Sequence, residues 1–347
     1  MILAGDIGGA NTRLGLFEVR DGFLVSKLEK DDYKSPKYSG LEEIVRLFLG
    51  RREVRKLLCG ARPPEIERAC FGIPGPIHKG RVQPPNLPGW EEVNAAALQR
   101  DLGIPEVRLL NDLEANAHGI PALKPKDLVT LNPGAADAVG NRAVISVGRG
   151  LGEAGVYWDG QKHCPFACEG GHADFAPRDE RETDLLHWLR RQPEMRRRPK
   201  DKRHVSYELV LSGPGQHEIY KFLRERSRTP EPAWLTQALR RGDPPAVVTQ
   251  AGLKGQCPVC AAAVDMFVSF YGAEAGNLAL KLMARGGVYI GGGIAPKILD
   301  KLQSPVFLEA FTGKGRMRDQ MKAMPVRVIL EPRTALLGAA RCAALLA

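Results

Sequence analysis

The chain lacks most features that would set it apart from ordinary globular enzymes. No uninterrupted apolar run approaches the ~20 residues needed to cross a bilayer, so no membrane span is expected. No basic stretch followed by a long apolar one opens the chain, so no secretory leader is expected either. Seven cysteines, an odd number in no regular framework, argue against a disulfide scaffold and fit a reducing cytoplasm. Aromatics make up only 6% of residues. None falls within Arg190 to Arg203, where eight basic residues face only Glu194 and Asp201. That stretch carries over half of the net charge of +10. Broken by proline and without rings for base stacking, it reads as a solvated surface loop, not a nucleic-acid site. The phosphate-binding pattern G-x-x-x-x-G-K-[ST] is absent.

What is present suits an α/β protein with many tight turns. The 347 residues are 44% apolar, with 38 Gly and 26 Pro, and suffice for two domains. The stretch Leu3-Ala4-Gly5-Asp6-Ile7-Gly8-Gly9-Ala10-Asn11-Thr12-Arg13 is the first anchor. Ile2 to Ala4 reads as a strand, and the alternation at Leu14, Leu16 and Val19 reads as a second, ending at an Asp21-Gly22 turn. Gly8 and Gly9 let backbone N–H groups converge on a phosphate, and Asp6 stands at the mouth, where a carboxylate can hold Mg²⁺ directly or through water. An ordinary glycine-containing hairpin is the plainer alternative.

Further along, Leu41 to Leu49 has the spacing of a helix on a sheet, and Ala69 to Pro76 reads as a buried strand ending in a rigid turn. Pro84 to Trp90 resembles a substrate-facing loop, and Trp90 to Arg100 reads as a helix. Glu106 to Leu110 is a strand that delivers Asn111-Asp112 to its carboxyl end, where open α/β sheets bind ligands. There Asp112 can take a proton from a hydroxyl while the neighbouring amide bonds the same substrate; alternatively Asp112 simply caps the helix that follows.

The third anchor is Ala143 to Gly152. Gly150, Gly152 and Gly155 satisfy the dinucleotide pattern G-x-G-x-x-G, but that fold needs the last glycine to open a helix. Gly155 to Gly160 reads instead as a strand running into an Asp-Gly turn. What remains is strand, glycine loop, strand: a second phosphate nest. Downstream, Gly170 and Gly171 allow Glu169 and His172 to point into one cleft, which suits a polyhydroxyl ligand. Glu208 offers another carboxylate before Ser212-Gly213-Pro214-Gly215. Gly291-Gly292-Gly293 ends a strand and would let a flat purine lie against backbone, and Thr334 to Leu346 closes the chain as a small-residue helix. His163, Cys164, Cys168 and His172, with the Cys257-Cys260 pair, lack the paired short spacings of a four-ligand site. No structural zinc is expected; Cys257 and Cys260 begin a helix that runs on to Tyr271, with a small-residue helix from Gly272 to Met283.

The order of these motifs resembles that of bacterial glucokinases of the non-repressor type, essentially end to end. The carriers are the Asp6 loop, Phe71 to Pro76, Asn111-Asp112, Gly148 to Gly152, Glu169 to Pro177, Leu211 to Gly215 and Gly291 to Pro296. The resemblance implies an α/β, two-lobed, actin-like ATPase (ribonuclease H-like) sugar-kinase fold with a cleft between lobes. The lobes would be residues 1–111 with 333–347, and residues 112–332, closing around the sugar to exclude water. It implies a cytoplasmic glycolytic enzyme that moves the γ-phosphoryl group of ATP, with Mg²⁺, to the 6-hydroxyl of glucose. Asp112 would be the base. Asn111, Glu169, His172 and Glu208, with Asn86, would hold the sugar. Asp6, Gly8, Gly9, Asn11, Gly148, Arg149, Gly150, Gly152, Gly291, Gly292 and Gly293 would hold ATP, Asp6 also meeting the metal through water. The expected partners are sugar and ATP, with neither membrane nor nucleic acid; a homodimer is left open.

Two departures lie in the phosphate loops. Ala10 stands where the family usually has Thr, and Arg149 stands at the threonine of its usual Gly-Thr-Gly-Leu-Gly. They keep open a catalytically impaired sugar or nucleotide sensor. A kinase of another hexose or of an N-acetylated amino sugar is the other alternative. A transcriptional regulator is disfavoured, since the first phosphate strand leaves no room before it for a DNA-binding domain.

Overall fold

The computed structural model describes residues 1–20, 23–59, 65–197, 199 and 203–346. The Asp21-Gly22 turn and part of the basic run, at 198 and 200–202, lie outside the described residues. The chain divides into two compact units, one of Met1–Asp127, Pro165–Ala167 and Glu331–Ala347, the other of Leu128–Cys164 and Cys168–Leu330.

In the first unit, β1 (Ile2–Ile7), β2 (Thr12–Arg20), β3 (Phe23–Tyr33), β4 (Arg68–Ile73) and β7 (Glu106–Asn111) form a sheet in the order β3-β2-β1-β4-β7. The short β5 (Arg81–Val82) and β6 (Val93–Asn94) pair separately. Strands β1, β4 and β7 are parallel, and so apolar on both faces. One face is covered by Leu41, Ile44, Val45 and Phe48 of the helix Leu41–Gly50, whose i, i+3, i+4, i+7 spacing makes one apolar stripe. The other is covered by the terminal helix Thr334–Leu345, rich in alanine, with Ala115 from the helix Asp112–Gly119. The helix expected from Trp90 begins only at Ala95, because the Asn94 side chain accepts from Ala96 N and Ala97 N and fixes the start there. The two helices at the far face cross backbone to backbone: a Cβ on Gly338 would lie 1.7 Å from Ala115 O. Gly338→Ala should therefore destabilise this unit by roughly 1–3 kcal/mol, the usual cost of overpacking. Thermal unfolding by calorimetry checks this, and an unchanged Tm refutes the close crossing.

The second unit is built on β8 (Leu128–Asn132), β9 (Arg142–Val147), β10 (Leu151–Trp158), β11 (His163–Cys168), β12 (Gly287–Gly291) and β13 (Val326–Ile329), ordered β11-β10-β9-β12-β13-β8. Its core closes around one continuous helix, Pro258–Leu282, which joins the two helical stretches read separately on either side of Gly272. By length and composition alone this helix could cross a membrane, but Asp265, Glu274 and Lys281 interrupt its apolar residues and most of it is buried in the unit's core. Cys257 caps it, its Sγ accepting from Cys260 N at 3.4 Å. The basic run differs from the expected loop. Arg190 and Arg191 end the helix Glu180–Arg191, and Pro193–Arg197 forms a further turn of helix held by buried Met195. Leu185, Leu189 and Met195 join the core, while Arg190, Arg191, Arg196 and Arg197 remain exposed.

Candidate active site

In the first unit β1 and β2 form an antiparallel hairpin whose loop carries the first phosphate motif. Gly8 N donates to Asn11 O at 2.9 Å, tightening the turn. Two neighbours invisible to motif reading brace it. Ser35 Oγ donates to Gly8 O at 2.7 Å, and Lys34 Nζ donates to Asn11 Oδ1 at 2.9 Å, which sets a cation beside the loop. Ser35 is itself fixed by Thr12 Oγ1 at 2.9 Å and by Trp90 Nε1, which donates to its carbonyl at 3.3 Å. The exposed Asn86 lies against Gly9, so the Pro84–Trp90 segment and the loop are neighbours. Asp6 receives Arg13 Nη1 on Oδ2 at 2.9 Å. Burial nevertheless raises its carboxyl above the usual range, the Arg13 charge pulling the other way.

Strand β7 ends at Asn111, and the helix begins at Asp112. Asn111, not Asp112, is the cap: its Oδ1 accepts from Leu113 N at 2.9 Å and its Nδ2 donates to Gly75 O at 3.3 Å. The buried Asn111 amide thus serves the backbone at both ends, with its second N–H left over from these two bonds. Asp112, half-buried in the first turn, accepts from Leu113 N on Oδ1 at 3.0 Å.

In the second unit β9 and β10 run antiparallel with Leu151 opposite Val147, so Gly148–Gly150 is a hairpin loop and the dinucleotide fold is excluded. Gly148 N donates to Gly150 O at 2.9 Å, and Gly213 N donates to Gly148 O at 2.8 Å, tying the loop to the Ser212 turn. Strand β12 lies parallel to β9 with Gly291 opposite Ser146, which places the triple glycine beside the same loop. Gly292 has φ +87°, and a Cβ there would fall 2.3 Å from Val147 O, so only glycine fits. The outcome is a cavity of about 850 Å³. Gly148, Arg149, Gly213, Gly293, Ile294 and Thr249 are among the residues lining it, of which Thr249 carried no sequence signal. Gly152 is paired within β10, opposite Ser146.

Glu169 and His172 bracket a single 3₁₀ turn, Gly170–His172, closed by His172 N donating to Glu169 O at 3.0 Å. Their side chains are 50% and 57% exposed, and His172 Nε2 lies 4.0 Å from Glu169 Oε2. The turn is stitched to the segment before Glu208: Phe175 N donates to Val205 O at 2.8 Å and Tyr207 N to Ala173 O at 2.9 Å. Glu208 itself accepts from Leu151 N on Oε2 at 3.1 Å, so this carboxylate braces the Gly148–Gly150 loop from a segment stitched to the Glu169–His172 turn. Among the described residues no group of three or more His, Cys, Asp or Glu is placed to hold a metal ion.

Two glycine hairpins, a strand-end carboxylate and a carboxylate–histidine turn on this topology define the actin-like ATPase fold of sugar kinases. A glucokinase from an Antarctic psychrotroph superposes at TM-score 0.78 with 30% identity, over 99% of this chain and 98% of that one. The family model described as Glucokinase matches residues 3–346, and the chain belongs to that family. It is similar to the glucokinase of Nostoc punctiforme, 39% identical over 99% of each chain. It also shares its fold with a glucokinase of Balamuthia mandrillaris solved in complex with glucose, TM-score 0.75 at 21% identity over 99% of this chain and 93% of that one.

Proposed function

We infer that this chain is an ATP-dependent glucokinase, transferring the γ-phosphoryl group of ATP to the 6-hydroxyl of glucose. The observation that carries this reading is the 850 Å³ cavity joining the Gly148-Arg149 loop to Gly293, in a chain of the Glucokinase family along its whole length. The cavity suits an adenine nucleotide in size, with backbone N–H groups and the exposed Arg149 at one end for phosphate.

Phosphoryl transfer asks a protein mainly for positioning and charge stabilisation. Glu169 and His172 hold sugar hydroxyls, and Glu208 joins them while steadying the phosphate loop. Asp112 accepts the 6-hydroxyl proton as that oxygen attacks. Gly8, Gly9 and Asn11 offer the second set of phosphate contacts, with Lys34 adding positive charge. The residues fit Mg²⁺ through water, since Arg13 already holds one Asp6 oxygen and magnesium keeps most of its ligands as water and phosphate. When bound, that ion neutralises charge on the phosphate oxygens. A cytoplasmic location belongs to the same reading, supported by seven unpaired cysteines.

A coupled assay over glucose, mannose and N-acetylglucosamine, with ATP, ADP and polyphosphate as donors, tests it. Turnover should be greatest with glucose and ATP. Glucose binding without turnover would make the chain a sensor, and faster turnover of the N-acetylated sugar would reassign its substrate.

A further inference from the structure

Two carboxylates with no place in the mechanism lie directly beneath the sugar turn. Glu153, on β10, is 2% exposed, and Glu274, in the middle of the core helix, is 0% exposed. Each has its Oε1 buried without a hydrogen-bond partner. The two side chains lie within hydrogen-bonding reach of each other. Two charged carboxylates cannot share a dry interior, and one proton held between them leaves a single charge there.

The pair touches both glucose-holding segments. Glu153 Oε2 lies against Gly170, so close that a Cβ there would be 1.9 Å away, and Gly170 sits between Glu169 and His172. Glu274 Oε2 accepts from Asn277 Nδ2 at 2.8 Å, and the same amide donates to Tyr207 OH at 3.1 Å, next to Glu208. Lys314 Nζ donates to Asn277 Oδ1 at 2.6 Å and holds the amide's orientation.

We propose that Glu153 and Glu274 share one proton and act as positioning residues, a neutralised floor that sets the Glu169–His172 turn and the Tyr207–Glu208 segment for glucose. The proposal rests on the reading of those segments as the sugar site. Burial, then the neighbouring Glu274 charge, pushes the Glu153 carboxyl up to about 8. The other ionisable groups facing the pair are Lys281 on the core helix, Cys168 on β11, Tyr207 and Lys314, with Arg178 beyond them. Lys281 and Lys314 favour the charged forms and so set the alkaline limit of the shared proton. Loss of that proton leaves two like charges in contact, drives Glu153 against Gly170, and depopulates the glucose-competent turn.

The test is the pH dependence of KM for glucose and of kcat, from pH 6.5 to 9.5, for wild type, E153Q, E274Q and E169A. In wild type KM for glucose should rise about threefold or more through pH 8 to 9, as the competent fraction falls, with KM for ATP steady. In E153Q the amide keeps one donor in the pair at every pH, so KM for glucose should stay near its neutral value and the alkaline rise should vanish; E274Q should do the same. A flat wild-type profile, which needs no variant to fold, overturns the proposal, as does a rise in E153Q equal to that of wild type. E169A separates the two readings. If it leaves KM for glucose unchanged, the turn is not the sugar site and both fall; if it raises KM while the wild-type profile is flat, only the positioning role falls.

Discussion

Replacing Asp112 by Asn should lower kcat by roughly 10²–10⁴-fold, the scale of a lost general base. The substitution is nearly isosteric, and an amide oxygen can still accept from Leu113 N, as Asp112 Oδ1 does at 3.0 Å. The cap of the helix is Asn111, so the fold does not depend on the carboxylate either. What the amide cannot do is take a proton from the attacking hydroxyl. Glucose affinity measured by calorimetry should change far less than kcat. A variant that keeps more than half of the wild-type kcat would refute the assignment, and a loss confined to affinity would make Asp112 a sugar-holding group.

Glu169→Ala and Glu208→Ala should part company. Each leaves a sugar hydroxyl without its partner, weakening glucose binding by about 1–3 kcal/mol. Glu169 sits half-exposed on a turn of its own, so its loss should leave ATP binding unchanged. Glu208 also accepts from Leu151 N at 3.1 Å and fills the space beside Gly150, so its removal should loosen the phosphate loop and weaken ATP as well. Calorimetry with glucose, and with ATP in the absence of sugar, distinguishes the two. Equal loss of both ligands in Glu169→Ala would show a folding defect, and unchanged ATP affinity in Glu208→Ala would show that the loop stands without it.

Much of the fold was legible because glycine and turn chemistry are local. The Gly148–Gly152 loop could be told from a dinucleotide loop by the strand-like Val156 to Trp158 and the Asp159-Gly160 turn, and β10 runs through Trp158 as a hairpin partner of β9. The helix Leu41–Gly50 followed from its periodicity alone. What failed was set by tertiary context. Gly272 read as the start of a second helix, yet one helix runs through it, because the backbone at Phe307 O comes so close that a Cβ there would lie 2.2 Å away and glycine is needed for packing. The run at 190–203 read as a loop from charge, yet Met195 docks in the core and holds a turn of helix. Asp112 could be read as the cap of the helix after β7, but the strand-to-helix junction takes its cap one residue earlier, from the Asn111 side chain. Glu153 and Glu274 gave no signal, since nothing local distinguishes a buried carboxylate from one in water. Lys34 and Ser35 reach the Gly8–Asn11 loop because β3 pairs with β2, with Tyr33 opposite Thr12.

The measurement that tests the account most directly is the product of the reaction. Glucose labelled with ¹³C at position 6 is incubated with ATP, magnesium and the wild-type protein, and followed by ³¹P and ¹³C NMR. The account predicts glucose 6-phosphate and ADP in equal amounts, with phosphorus coupling at the labelled carbon, and almost none of either product from Asp112→Asn under the same conditions. ADP released without sugar phosphate, phosphate on another hydroxyl, or product formed equally by the variant would contradict it.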